Sequence, residues 1–463
     1  MAKDRSVFIG FEAGENYVAS SSAEQDTFIG YKAGTNTTTG RDNTALGAFA
    51  LRNNVIGSFN TAIGDESLLL NENGLRNTGL GGATLRNNVS GNGNTAIGFS
   101  ALRNNTSGGS NTAIGNEALR DGNGYSNSTA LGNRAGINSS GDNTTSIGAF
   151  SLENGGTGIN NTAIGVYALR AATNGNNVAV GANAGDNVTT GINNVFIGTN
   201  TNATVGTVSD ATSLGDNASV GADHTVAIGA NSRATAPDAI AIGDDAGADD
   251  SWAIAIGEFA NANAEDAVAI GHRSTVVGFR GTSLGLNADI GPGGNQAIAI
   301  GVNSNALHDR SIAFGSGAVT TADNQFKISP TISTIDASSA VITAESYIAT
   351  VGSGTGYADY VFDIYYDGRS DLTTSYKFPT LEEAERFVKI NGHLIGVKSI
   401  EDIEDQGMTV NVTEVSLKNL EKLEEQFLYI TELNSRLKRT ETLLKIHDEQ
   451  LKRVIKTLEK FNK

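Results

Sequence analysis

Cysteine is absent from this sequence, which removes disulfide scaffolds and cysteine-ligated zinc. It also fits synthesis in a reducing compartment. Proline is almost absent too, with four residues against 57 glycines. Collagen needs a strict three-residue glycine period and abundant proline, so it is excluded. A flexible glycine/serine linker is excluded as well, because Ile, Leu and Val interrupt the polar stretches at regular spacing. Positive charge is short: 32 Lys/Arg face 50 Asp/Glu, a net charge of −18. From Val412 onward 11 basic residues meet 9 acidic ones, a net of +2, which leaves −20 on the first 411 residues. Such a chain is repelled by phosphate backbones, so no nucleic-acid partner is expected. Long apolar runs are missing. The start, MAKDRSVFIGFEAG, holds no apolar segment of signal-peptide length, and no stretch is long enough to span a bilayer. The expectation is a chain with no Sec signal, no anchor of its own and no membrane insertion.

What the sequence does hold is a repeat. A motif of the type NTAIG or VAIG ends at 20 glycines between Gly10 and Gly315, spaced mostly by 17 as far as Gly215 and mostly by 14 after it. Periods this short mean one coil of a solenoid per repeat. An Ile, Leu, Val or Phe precedes every one of these glycines, and Thr, Val or Ile usually stands two positions before that. Period-two alternation puts both on one strand face. That face is expected to be the core of the roll, represented by Ile63, Ile97, Ile114, Ile164, Ile228, Ile256, Ile270 and Ile300. The Ala between them, such as Ala62 and Ala227, then faces the other way. In the longer coils a second apolar spot follows as ALRNN, with Leu51, Leu102, Leu119 and Leu169 four residues after the glycine. The Asn and Gly runs behind it supply turns, since both tolerate left-handed backbone angles. The expected result is a wider section up to about residue 215 and a slimmer one to about 315.

Two or three aliphatic side chains per coil make a thin core against the entropy of ordering the whole coil, so association of several chains along the rod is expected. The repeat resembles the head domain of YadA-like trimeric adhesins, over roughly residues 6–320. That resemblance implies a left-handed parallel β-roll in each of three chains and an adhesive surface role. The chain departs from the family in its 17-residue coils and in lacking a match to the family's secretion signal and C-terminal membrane barrel.

Beyond Gly317 the repeat fades. Residues 321–411 are expected to form a small α+β collar, with YVFDIYY (Tyr360–Tyr366) among its strands and a helix following Thr380. Thr380 is the expected N-cap, Glu382 and Glu383 occupy the first turn, and Gly392 is the stop. From residue 412 to 463 the pattern turns to heptads. The expected coiled-coil core is Leu420, Leu423, Phe427, Ile430, Leu433, Leu437, Leu444, His447, Leu451, Val454 and Leu458, with Thr440 and His447 as polar layers. The segment from about 357 to 437 resembles the C-terminal module of bacteriophage tail-fibre proteins, related to intramolecular chaperone domains. The serine/lysine motif of the self-cleaving members is not matched, so an uncut chain is expected.

No metal site, cofactor or catalytic residue is assigned. Asp244, Asp245, Asp249 and Asp250 crowd one loop, but the glycine-rich nonapeptide of calcium-binding rolls is missing, and solvated turn aspartates are the better reading. GSGTG (Gly352–Gly356) lacks the Lys-Ser/Thr and βαβ context of a phosphate loop and reads as a linker. Arg52, Arg86 and Arg103 project from the ALRNN turns in a row, and Trp252 stands in a thin coil. These four are the candidate receptor contacts. The whole is expected to be mainly β: a trimeric β-roll, a collar and a trimeric coiled coil. Its expected role is that of a structural and adhesive fibre subunit, not an enzyme. Phage tail fibre in a virion is the leading reading, with self, other fibre or baseplate proteins and a host glycan or protein receptor as partners. A bacterial cell-surface trimeric adhesin is the alternative, and a polysaccharide-degrading tail spike, which needs a spaced carboxylate pair, ranks below both.

Overall fold

The computed structural model describes residues 5–18, 25–332, 360–369, 376–405 and 412–461. The chain divides into two compact units, Met1–Asp336 and Ala337–Lys463.

In the first unit every motif becomes a three-residue strand, and each strand pairs in parallel with the same motif one coil on. Thr61, Ala62 and Ile63 align with Thr78, Gly79 and Leu80, and Val226, Ala227 and Ile228 align with Ile240, Ala241 and Ile242. The result is one ladder of 21 strands, from Val7–Ile9 to Phe326–Ile328. At about 4.8 Å per strand it runs for roughly 100 Å. The last strand, Phe326–Ile328, extends the roll one coil past the expected boundary at 320 and has no glycine after it. The change of period is a change of cross-section. From Asn202–Ala203 to Asp289–Ile290 a second ladder of seven short parallel strands runs beside the first. The longer coils fill that side with turns instead.

The two faces of the strand are the reverse of the expected arrangement. The alanines are inside: Ala62, Ala96, Ala113, Ala163, Ala227 and Ala255 are all fully buried. Ile63, Ile97, Ile114, Ile164, Ile228, Ile256, Ile270 and Ile300 lie on the outer face and are only half-buried. Coil width is the reason. Opposed sheets lined by large side chains stand about 10 Å apart. So short a coil is too narrow for that, and its interior is filled at crystal-like density by small side chains. The longer coils have room for one leucine each, and Leu51, Leu102, Leu119 and Leu169 are buried as expected. Where a phenylalanine takes the alanine place, as Phe28 does, Gly34 stands across from it, and a Cβ there would meet the ring.

Two chemical devices hold the coils in register. The glycine after each strand lies against the glycine of the next coil: at Gly257 φ is +133° and an added Cβ would stand 2.5 Å from the Gly271 carbonyl oxygen. The asparagine that precedes most strands of the longer coils is buried and forms a ladder. Oδ1 of Asn77 accepts from the Asn94 backbone N–H (2.9 Å) and side chain (3.1 Å), while its own Nδ2 donates to Gly91 O at 2.8 Å. A second buried row links Asn54, Asn71, Asn88 and Asn105 in the same way, at 2.7–3.0 Å. The turns themselves are left-handed at bulky residues as well as at the expected Asn and Gly: Leu51, Leu102 and Leu169 have φ of 53°, 51° and 46°. Burial of the leucine offsets a backbone cost of about 1–2 kcal/mol.

The second unit is helical: α1 (Tyr360–Asp367), α2 (Leu381–Asn391), α3 (Ile400–Asp405) and α4 (Val412–Phe461). Tyr360–Tyr366, expected as collar strand, is therefore helix. Its β-branched and aromatic residues are overridden by tertiary packing: Val361 and Leu428 are fully buried, and Phe362 meets Phe427 of α4 edge-on at 6.2 Å. Thr380 caps α2 as expected. Its hydroxyl accepts from Glu383 N–H (3.2 Å), Glu383 accepts in return from Thr380 N–H (2.9 Å), and Gly392 closes the helix at φ +74°. The Gly352–Gly356 stretch lies outside the described residues.

Two substitutions separate the stacking constraint from ordinary glycine flexibility. Gly257→Ala is expected to destabilise the roll by upwards of about 3 kcal/mol, read as a lowered thermal midpoint, since backbone must shift in two coils. Gly317→Ala, at φ +68° with nothing near its Cβ, is expected to cost only about 1 kcal/mol. For the polar core, Asn77→Ala leaves the Asn94 N–H without its partner and the Gly91 carbonyl with Asn88 as its one remaining side-chain donor. The expected loss is about 2–4 kcal/mol, read from denaturant unfolding.

Candidate interaction surfaces

The ladder's outer face carries two side chains per coil, the residue before the glycine and the one two before it. Because pairing is in register, each position becomes a column: Ile63, Leu80, Ile97, Ile114 and Leu131 are consecutive members of one. Ile9, Leu46, Leu80, Leu131 and Leu284 are each more than two-fifths exposed. The second column is threonine through most of the longer coils, then becomes Val226, Ile240, Ile254 and Val268, with Thr282 interrupting it before Ile298 and Ile312. Two columns about 7 Å apart over roughly 100 Å make a strip on the order of 700 Å² in footprint, apolar in one column along the longer coils and mostly in both along the shorter ones. That is above the largest apolar patch of a typical monomer, and it is densest in the shorter coils. The sequence alone puts these isoleucines in the core. The signal that reverses the assignment is the residue between them, which is small in nearly every coil.

Helix α4 presents a second apolar surface. Leu423, Phe427, Ile430, Leu433, Leu437, Leu444, Leu451, Val454 and Leu458 are each about half exposed or more. His447 is exposed and Leu420 half-buried. The heptad seam is thus an open stripe along the helix. Leu428, off the seam, packs into the unit instead. Between α2 and α4 lies a groove of about 760 Å³ lined by Leu381, Val388, Leu394, Leu423 and Tyr429, so its wall is continuous with the seam. Beneath it, Glu421, Glu424 and Glu425 are buried, with Lys422 Nζ 3.0 Å from Glu421 and 2.7 Å from Glu425.

The candidate receptor residues do not converge. Arg52, Arg86 and Arg103 share one column, five residues after the glycine of their coils, with Leu69 interrupting it between Arg52 and Arg86. Arg52 lies over the Phe49 ring (5.5 Å), and Arg86 is bound to Glu66 (Nε–Oε2 2.6 Å). The Nε of Arg103 is enclosed without a hydrogen-bond partner. Trp252 is half exposed at a different corner, in the left-handed conformation (φ +57°), many coils away. The crowded aspartates are not a cluster either. Asp249 accepts from Arg233 and from Thr235 Oγ1 (3.0 Å), and the Arg233 guanidinium holds its carboxyl below the usual range. Among the described residues no group of three or more His, Asp or Glu is arranged to hold a metal ion.

In the helical unit one titration is displaced far enough to test. Tyr429 donates to the Pro379 carbonyl at 2.7 Å, and burial, with Glu425, Glu383 and Glu432 nearby, pushes its hydroxyl up to about 12. A folded-state value above the unfolded one of about 10 means that the unfolded chain loses its proton first. Stability of this unit is therefore expected to fall as pH rises from about 10 to 12. Tyr429→Phe is expected to flatten that part of the profile, as followed by far-ultraviolet circular dichroism.

Comparison with known proteins bears on the first unit. The family model of the YadA head domain repeat (2 copies) matches residues 209–232, 222–246, 253–274 and 293–318. Every matched segment lies within the shorter coils or at their edge. No curated protein matches the chain.

Proposed function

We propose that this chain, which carries YadA head domain repeats on a parallel β-solenoid, is the subunit of a homotrimeric fibre. The outward aliphatic strip is the observation that supports this reading. A free-standing solenoid leaves it in water over the whole ladder, whereas a threefold bundle of rods turns each strip toward the shared axis. The α4 seam makes the same demand with heptad geometry. Three equivalent outer surfaces would then act together on a receptor, raising avidity without new contacts.

A phage or phage-like tail fibre is the setting we favour, on the resemblance of the helical module to fibre C-terminal modules. The bacterial cell-surface adhesin reading draws on the family match itself. Either setting places the rod outside a cell, and no described helix is long and apolar enough to cross a membrane.

Sedimentation equilibrium at micromolar concentration is expected to give about three times the chain mass of 47.8 kDa; a monomer of normal fold overturns the reading. Paired substitutions locate the interface. Ala255→Asp buries a charge inside one coil and is expected to disrupt folding. Ile256→Asp, one residue on and facing outward, is expected to leave the chain's β-structure in place while weakening association.

A further inference from the structure

One corner of the wider section departs from its neighbours. From Asp42 on, the backbone five residues before the motif glycine is left-handed, and along most of the section that place is held by residues that tolerate it: Ser110, Asn127, Asn143, Asn160, Asn176 and Asn193. In two adjacent coils it is held by Phe59, at φ +63°, and Arg76, at φ +57°. Bulky residues such as Trp252, Arg280 and Arg310 hold the same place in shorter coils, but in the wider section Phe59 stands out, with 46 % of it exposed. Arg41 and Arg76 lie on either side of it in the neighbouring coils, aligned by the Phe59 N–H to Arg41 O (2.9 Å) and Arg76 N–H to Ser58 O (3.0 Å) hydrogen bonds. Their guanidinium carbons stand 5.8 and 5.9 Å from the ring centre. Val55, Ile56 and Leu75 add exposed apolar surface at the same corner.

A second arginine–aromatic stack shows what is unusual here. Arg134 over Phe150 and Arg170 over Tyr167 form a similar row, with the two rings stacked at 5.2 Å. There each cation is neutralised, Arg134 by Glu153 (3.0 Å) and Arg170 by Asp186 (3.0 Å). At Phe59 the charge is left over: Arg41 has only Asp42 at 4.0 Å, and Arg76 has no ion pair among the described residues. Arg273 over Phe259 shares the left-handed, exposed ring and has no ion pair among the described residues; what sets the Phe59 corner apart, and points to a binding site, is that two guanidinium groups flank one exposed ring.

We propose that the Arg41–Phe59–Arg76 corner binds a glycan through a single acidic sugar. Its carboxylate would take the planar, bidentate donors of arginine, with the ring holding both guanidinium groups in place and Val55, Ile56 and Leu75 meeting the apolar face of the sugar. A singly charged terminal sugar fits better than a polyanion, because the chain's net charge of −18 repels extended anions. The inference rests on the adhesive reading above but not on the number of chains.

Binding of the full-length chain to a sialic-acid-terminated trisaccharide, a glucuronate-terminated one and their neutral counterpart tests it by calorimetry. Preference for one or both acidic sugars over the neutral one is expected, the two acidic arms showing which source of the carboxylate is used. Phe59→Asn installs the residue that other coils carry, so the thermal midpoint is expected to hold or rise while affinity falls about tenfold or more. Arg76→Gln is expected to weaken binding similarly. Equal affinity for neutral and acidic sugars, or no binding of any, overturns the proposal. Acidic-sugar binding that Phe59→Asn and Arg76→Gln leave unchanged overturns this site while sparing the adhesive reading.

Discussion

Parallel strands of successive coils stack in register at about 4.8 Å, and everything else in the first unit follows from that spacing. At the turn after each strand the backbone of one coil lies on the backbone of the next with no room for a Cβ, which is why the motif ends in glycine 20 times. Any residue type placed in a coil also becomes a column. A side chain is therefore selected for how it stacks on itself as much as for its own environment. Alanine stacks into a dry interior, asparagine into a hydrogen-bonded ladder, isoleucine into a strip. Glutamate and arginine in facing columns become the ion pairs that line the outside.

The two sections use this rule differently. The shorter coil closes on two ladders, and its interior is almost wholly alanine, with Val220, Val276 and Ile290 filling the second ladder. In the longer coil the second ladder is lost to turns. The same positions keep their coil-to-coil backbone bonds there, as Leu51 N–H to Ser67 O and Asn53 N–H to Leu69 O, and buried asparagine serves the added turn, where Asn60 and Asn77 donate to the Gly74 and Gly91 carbonyls. An amide can do this because it donates and accepts at once, so each ring of the ladder satisfies the next. The polar interior is thus a consequence of coil length. It also accounts for the family match falling on the shorter coils, where the second ladder is present.

Period, motif glycine and parallel stacking are legible in the sequence because a short repeat leaves its spacing on the page. The sign of the strand face is not. Alternation says that Ile63 and Ala62 point in opposite directions and nothing about which is inside, and hydrophobicity favours the wrong answer when the interior is too narrow for isoleucine. Asn60 and Asn77 are visible at a constant spacing but read as turn residues, since asparagine usually is one. The Thr380 cap and Gly392 stop of α2 are legible because capping is local. Helix α1 is not, because Val361 and Phe362 form strands elsewhere and only the presence of α4 makes them helical. Phe59 stands in plain sight in a column made mostly of Asn and Ser, and only the backbone angle shows that it is out of place.

The two apolar surfaces constrain one another. The aliphatic strip of the roll could be covered by any flat partner, and an open heptad seam by any amphipathic helix. The homotrimer proposed above would satisfy both at once without a second protein that carries both a matching roll and a matching helix. In that proposed assembly, rotation about one axis would bring the same column of each roll together, so that Ile256 would meet Ile256. A sequence repeated along the axis does not by itself prevent slippage by one coil, since Ile256 and Ile270 are alike. A feature that does not repeat can: the change of coil length near Gly215. A rod built from nearly identical coils depends on its irregular positions for register, as it depends on its regular ones for length.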